Sequence, residues 1–189
     1  LWDAGVKVGS SVGTPEERIE RAKTDIETRT AFLEARFVCG ERRLFDDFAA
    51  RYEELRKTSD ARAFLNAKLK EREERLKKTG GSKYMLEPNI KEGRGGLRDL
   101  HLAFWLTKYF FGTAELPDLI RRELLTPETV GRFLKAHRFL ATVRCHLHLL
   151  SGKAGDVLTL EAQKEIAERT GYARRAGCSA VERFMKHYY

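Results

Sequence analysis

A chain of 189 residues, 42% of them hydrophobic, can bury a real core as one domain or one domain plus pieces. Its net charge of +8 and 34% charged residues suit long solvated helices and an anionic partner such as a nucleotide, RNA or an acidic protein. No apolar run reaches the roughly 18 residues of a membrane span, no signal peptide is expected, and the widely spaced Cys39, Cys145 and Cys178 read as reduced thiols of a cytoplasmic protein.

The chain opens on an alternation, with Asp3, Gly5, Lys7 and Gly9 between Trp2, Ala4, Val6 and Val8, which predicts a short strand entered partway. After a loop over Gly9–Gly13, Thr14-Pro15-Glu16-Glu17 starts a helix: Thr14 caps it, Pro15 suits its first turn, and Glu17 completes a capping box. Ile19, Ala22, Ile26, Leu33 and Phe37 form one apolar stripe, so a single helix is expected up to Gly40. A second helix carries Leu44, Phe48, Tyr52 and Leu55, and a third, capped by Ser59 or Asp60, carries Phe64, Leu65, Leu69 and Leu76. Lys68–Lys78 holds six basic and three acidic residues. Mixed signs at helical spacing point to a solvated face rather than a nucleic-acid arm, so nucleic acid is not the expected partner.

Thr79-Gly80-Gly81-Ser82 breaks that helix, and Pro88 holds Glu87 extended. Next comes the most unusual stretch, Glu87 to His101, with three glycines in four positions at Gly93, Gly95 and Gly96, among charged side chains. Glycines beside a helix start, with ionisable neighbours, are the chemistry of a phosphate site. A helix from Gly96 to Phe111 stops at Gly112, Pro117 starts a short one, and Thr126-Pro127-Glu128 opens a long one reaching Leu150. Thr159 caps a helix that Gly171 ends. Ser179-Ala180-Val181-Glu182 is a second capping box, and its helix runs to Tyr189 without a stop signal. With Leu1 opening the chain, this suggests an excerpt of a longer protein: a helical bundle appended to a strand from upstream.

Few side chains are spaced for chemistry. His146 and His148 face different ways on a helix and cannot share a metal, and no Cys-x-x-Cys, His-Glu-x-x-His, Walker loop or nucleophile elbow is present. Arg144 and His148, four apart, share a face and could meet one phosphate or carboxylate; the plainer alternative is a core histidine beside a snorkelling arginine. Asp99 falls in the first turn of a helix, where the helix dipole favours it whether or not it is catalytic. Asp3, on the opening strand, could be a metal carboxylate only with partners from outside the chain.

The stretch Glu87-Pro88-Asn89-x-Lys91-x-Gly93-x-Gly95-Gly96-Leu97-Arg98-Asp99-Leu100-His101 resembles the signature of the bifunctional PII uridylyltransferase/uridylyl-removing enzymes. Its core, Lys91-x-Gly93-x-Gly95-Gly96-x-Arg98-Asp99, is also similar to glutamine synthetase adenylyltransferases, but the Glu87-Pro88-Asn89 lead and the Leu100-His101 ending favour the former. Leu1-Trp2-Asp3 to Gly9, Arg144-x-x-Leu147-His148, Leu158-Thr159 to Gln163, and Ser179 to Met185 resemble that family as well. The resemblance implies a mainly α fold, a helical bundle appended to the last strand of an α/β nucleotidyltransferase domain. Residues 1–14 would be the strand and loop of that domain, 15–82 a helical segment packing on it, and 83–189 the uridylyltransferase helical domain, truncated at its C-terminus. The family's Gly-Ser and Asp-x-Asp metal motif would precede Leu1, and its HD-type hydrolase and two ACT domains would follow.

The implied activity is transfer of UMP from UTP, with magnesium (Mg2+), to a tyrosine of the PII signalling protein in nitrogen regulation. Asp3 would be the third metal carboxylate, Lys91 and Arg98 would stabilise phosphate or pyrophosphate charge, Asp99 would orient neighbours or a metal-bound water, and Gly93, Gly95 and Gly96 would shape the loop along the nucleotide. The structural alternative makes Arg98 and Asp99 a buried pair tying the loop to the bundle. Ser10 and Gly13 stand where the family has a histidine and an arginine, and Arg94 where it has proline or lysine. The isolated chain is expected not to transfer UMP. The rival of another class is a non-catalytic basic helical module that binds RNA or an acidic protein.

Overall fold

The computed structural model describes residues 8–80, 85–113, 115–175 and 177–189. These form nine helices and no strand: α1 Pro15–Thr24, α2 Ile26–Phe32, α3 Arg42–Thr58, α4 Ala61–Lys78, α5 Leu97–Phe111, α6 Leu116–Arg121, α7 Pro127–Ser151, α8 Leu160–Arg169 and α9 Ala180–Tyr188. The mainly helical expectation holds. The predicted opening strand falls on residues 1–7, outside the described residues, and so does Asp3.

The capping chemistry acts as its residues require. Thr14 and Ser179 both close capping boxes, with Glu17 and Glu182 returning a carboxylate to the cap backbone. Asp60, not Ser59, starts α4, accepting from the Arg62 and Ala63 amides at 2.8 and 3.2 Å. One expectation fails: the single helix from Thr14 towards Gly40 is two helices. Asp25 ends α1 by donating its amide to the Arg21 carbonyl, then caps α2 by accepting from the Glu27 amide at 3.0 Å and from the Thr28 hydroxyl. A side chain that bonds the backbone locally offers an alternative to helix continuation, so it breaks an otherwise unbroken apolar period.

The chain divides into two compact units. The first takes in Leu1–Ala67 and Lys108–Gly112. There α1 packs on α3, and Ile19, Ala22, Leu33, Tyr52, Leu55, Phe64 and Tyr109 are buried. Phe64 stacks on Tyr109 at 3.7 Å between ring centroids, and Tyr52 donates its hydroxyl to the Arg29 carbonyl at 2.6 Å. The second takes in Lys68–Thr107 and Thr113–Tyr189. Its core is Ile90, Val143, Leu147, Leu158, Ile166, Ala167 and Phe184, drawn from the glycine stretch, α7, the segment before α8, α8 and α9. Burying each of the larger side chains contributes about 1.5–3 kcal/mol, and Ile90, fully buried, anchors the glycine stretch in that core.

Candidate functional site

The glycine stretch lies entirely in the second unit and is shaped by its own backbone. Asn89 accepts at Oδ1 from the Lys91 and Glu92 amides, at 3.0 and 2.7 Å, and at its carbonyl from Gly93 at 2.9 Å. Leu97 donates to the Ile90 carbonyl at 3.0 Å and Arg98 to that of Lys91 at 2.9 Å, so the loop closes onto the first turn of α5. Space inside this knot decides its composition. A Cβ on Gly93 would stand 2.5 Å from the Asn89 oxygen; one on Gly96 would stand 2.8 and 2.9 Å from the Ile90 and Lys91 oxygens. Gly95 has open space but a φ of +74°, which side chains disfavour.

One side of the knot is tied to the start of α8. Ile90 donates to the Asp156 carbonyl at 2.8 Å and Leu158 to that of Pro88 at 2.9 Å, an antiparallel bridge around Asn89 and Val157. Glu87 accepts from the Leu160 amide at 2.9 Å, and buried Gln163 reaches the Leu86 carbonyl at 2.7 Å. The Glu-Pro-Asn lead thus caps and clips a helix some seventy residues away in sequence.

The other side is held by α4. Asp99 takes a bidentate bond from Arg72, at 2.9 and 2.8 Å, a third from Arg75 at 2.5 Å, and the Gly95 amide at 2.9 Å. Burial alone would raise its carboxyl; the Arg72 hydrogen bonds, the Gly95 amide and the two guanidinium charges outweigh this and hold it below the usual carboxylate range. Arg98 and Asp99 therefore do not pair with one another as the structural alternative had it, although Asp99 does tie the loop to the bundle. They leave α5 in different directions, and Arg98 meets Glu92 at 3.4 Å. The expected solvated face over Lys68–Lys78 holds for Lys70, Glu71, Glu73, Glu74, Lys77 and Lys78, which are exposed, but not for Lys68, Arg72 and Arg75. Lys68, only 4% exposed, pairs with Glu71 at 2.5 Å and lies 5.2 Å from the Trp105 ring, while Arg72 and Arg75 turn to Asp99.

Arg144 and His148 do share an anion, and it is Asp156 of their own chain. Arg144 Nε stands 2.7 Å and His148 Nε2 3.3 Å from Oδ1, and Lys91 Nζ lies 3.8 Å from Oδ2. Burial pushes the Asp156 carboxyl up, but Arg144, His148 and Lys91 together bring it below its ordinary value. Lys91, Arg98 and Arg144, each about one-third exposed, thus gather around two carboxylates, Glu92 and Asp156. With Arg75 also 3.6 Å from Glu92, four cations meet these two carboxylates, which leaves an excess positive charge at a partly open surface. Arg144 is tightly paired, whereas Lys91 and Arg98 make only long contacts of 3.4–3.8 Å.

The predicted residues Lys91, Gly93, Gly95, Gly96, Arg98 and Asp99 are thus brought together, and Arg144 and His148 join them through Asp156. Three partners escaped the sequence reading: Arg72, Arg75 and Asp156. Lys68, Arg72 and Arg75 recur at i, i+4 and i+7, a helical face that could have flagged the first two. Asp156 sits in a loop and gave no periodic signal. Among the described residues no group of three or more histidine, cysteine, aspartate or glutamate side chains could hold a metal ion. The magnesium ligand set is therefore not found on them.

The model of the GlnD PII-uridylyltransferase family matches residues 63–189. Over all 189 residues the chain is 44% identical to a bifunctional uridylyltransferase/uridylyl-removing enzyme of Azospirillum brasilense, covering 20% of that protein. It is 46% identical to the protein of the same description from Erythrobacter litoralis and 45% to that from Novosphingobium aromaticivorans, covering 21% of each. The chain therefore spans about a fifth of the length of these relatives. No solved structure matches it.

Proposed function

Because the chain belongs to the PII-uridylyltransferase family, we propose that it serves the transfer of UMP from UTP to a tyrosine hydroxyl of the PII signalling protein, with Lys91 and Arg98 meeting the phosphates. The reaction forms a bond from that oxygen to the α-phosphorus, breaks the bond to the bridging oxygen, and releases pyrophosphate. Charge grows on the leaving group, so cations already aimed at its place lower the barrier.

The observation that carries this reading is the unequal pairing of the cations around Glu92, Asp99 and Asp156. Arg72, Arg75 and Arg144 hold carboxylates at 2.5–2.9 Å, whereas Lys91 and Arg98 are held only at 3.4–3.8 Å and are partly exposed. Such cations can turn to an incoming phosphate without breaking a short ion pair. Asp99 acts in this scheme as the anchor that fixes the start of α5, and so the position of Arg98. Magnesium belongs to the reading as the ion that neutralises the triphosphate. Asp3 and carboxylates beyond the described residues would hold it. A cytoplasmic setting is part of the same reading, supported by three cysteines that are exposed and unpaired.

The test is transfer of labelled UMP from UTP to PII by the intact enzyme carrying Lys91→Gln or Arg98→Gln. Each change removes one charged hydrogen bond, about 1.5–3 kcal/mol, so kcat/KM falls about tenfold or more. Undiminished transfer in both variants would contradict the assignment.

A further inference from the structure

Glu92 is the carboxylate on which the cations of the glycine stretch converge. Lys91 Nζ and Arg98 Nε both approach its Oε1, at 3.5 and 3.4 Å, and Arg75 Nε stands 3.6 Å from its Oε2. The three carboxylates of this surface are held differently. Asp99 has a guanidinium at 2.5 Å and Asp156 one at 2.7 Å, whereas Glu92 has no cation nearer than 3.4 Å among the described residues. Its backbone is fixed all the same, because its amide donates to Asn89 Oδ1 at 2.7 Å. The side chain is 26% exposed. It can withdraw its carboxylate by turning between rotamers, without moving the loop. Arg75 Nε is buried and has no hydrogen-bond partner, so Glu92 approaches even that donor without satisfying it.

We infer that Glu92 is a displaceable counter-anion: it neutralises Lys91 and Arg98 until phosphate arrives, and phosphate must turn it aside to reach them. Two cations that share one carboxylate oxygen repel each other less than two bare ones. A triphosphate or a pyrophosphate brings more charge and more acceptor oxygens than a single carboxylate, and takes short charged hydrogen bonds from both cations. A singly charged anion gains too little to displace Glu92, so the same side chain makes the site selective for polyphosphate. The displacement subtracts equally from the affinity for UTP and for pyrophosphate, and so favours departure of the product. This inference rests on the role proposed for Lys91 and Arg98 and adds a residue that opposes them.

The experiment is steady-state transfer of labelled UMP to PII by the intact enzyme, with UTP varied and pyrophosphate added as product inhibitor. Wild type is compared with Glu92→Gln, Lys91→Gln, Arg98→Gln and the double variant Lys91→Gln/Glu92→Gln, and all are melted. Glu92→Gln keeps the side-chain length and the backbone bond to Asn89, so its melting temperature should stay close to the wild type's. Removing a partly exposed counter-ion should lower the KM for UTP and the inhibition constant for pyrophosphate together, by about three- to tenfold. A residue that only supports the loop would raise the KM instead. In the Lys91→Gln background the gain should shrink, because one of the two cations that Glu92 masks is gone. A KM unchanged or raised in Glu92→Gln, while Lys91→Gln still raises it, overturns the inference and leaves the Lys91–Arg98 reading standing. A gain of full size in the double variant overturns it as well. Undiminished transfer in both Lys91→Gln and Arg98→Gln would instead remove that reading, and this inference with it.

Discussion

Asp156 holds Arg144, His148 and Lys91 within 4 Å of its carboxylate while its backbone carbonyl receives the Ile90 amide, so one loop residue joins α7 to the glycine stretch. Its folded pKa lies below the ordinary 3.8, and so does that of Asp99. A depressed carboxylate contributes stability that is complete well above the unfolded value and is lost as pH falls through the folded value. Both sites should therefore stabilise the chain at neutral pH and release that stability below about pH 4. Thermal melts across this window should show a steep fall for the wild type. Asp156→Asn should melt lower at neutral pH and show a shallower acid limb; an acid limb as steep as the wild type's would exclude Asp156 as a source. The spacing of Arg144 and His148 made a shared anion legible in the sequence. Its identity was not, because the carboxylate comes from a loop twelve residues beyond Arg144.

At the scale of elements, the glycine stretch is legible as a special loop, but its composition alone does not separate ligand approach from self-packing. The structure separates the three glycines. Gly93 and Gly96 are required by backbone oxygens under 3.0 Å from a would-be Cβ, and Gly95 only by its φ of +74°. Gly96→Ala should cost about 3 kcal/mol, the upper end for overpacking, and Gly95→Ala about 1 kcal/mol. Gly95→Asn should be milder still, because asparagine tolerates the left-handed region. Urea denaturation of the three variants checks the order, and equal costs at both positions would contradict it. The same limits explain the errors elsewhere. The apolar period ran through Asp25 because period reports faces, not local caps. Arg72 and Arg75 of α4 looked solvated because their partner, Asp99, lies more than twenty residues away.

Over the whole molecule, the helix starts at Pro15, Pro127, Leu160 and Ala180 were readable from caps and prolines, since those signals act within one turn, whereas the Asp25 start of α2 was not. The division into two compact units was not, because the contacts that define it are distant in sequence. Within the second unit, the family stretch is clipped to α8 by Glu87 and Ile90 and locked to α4 by Asp99, which leaves Lys91 and Arg98 loosely held at its surface. This division of labour between adjacent residues is tested most directly by comparing Arg98→Gln with Asp99→Asn for melting temperature and for the KM of UTP in the intact enzyme. Asp99→Asn leaves Arg72 without a charged partner and Arg75 with only Glu92 at 3.6 Å, and should lower stability by about 3 kcal/mol. Arg98→Gln should leave melting nearly unchanged and raise the KM for UTP about tenfold, the loss of one charged hydrogen bond. Contradiction would be an Arg98→Gln protein that melts as low as Asp99→Asn, or one whose KM for UTP stays at the wild-type value.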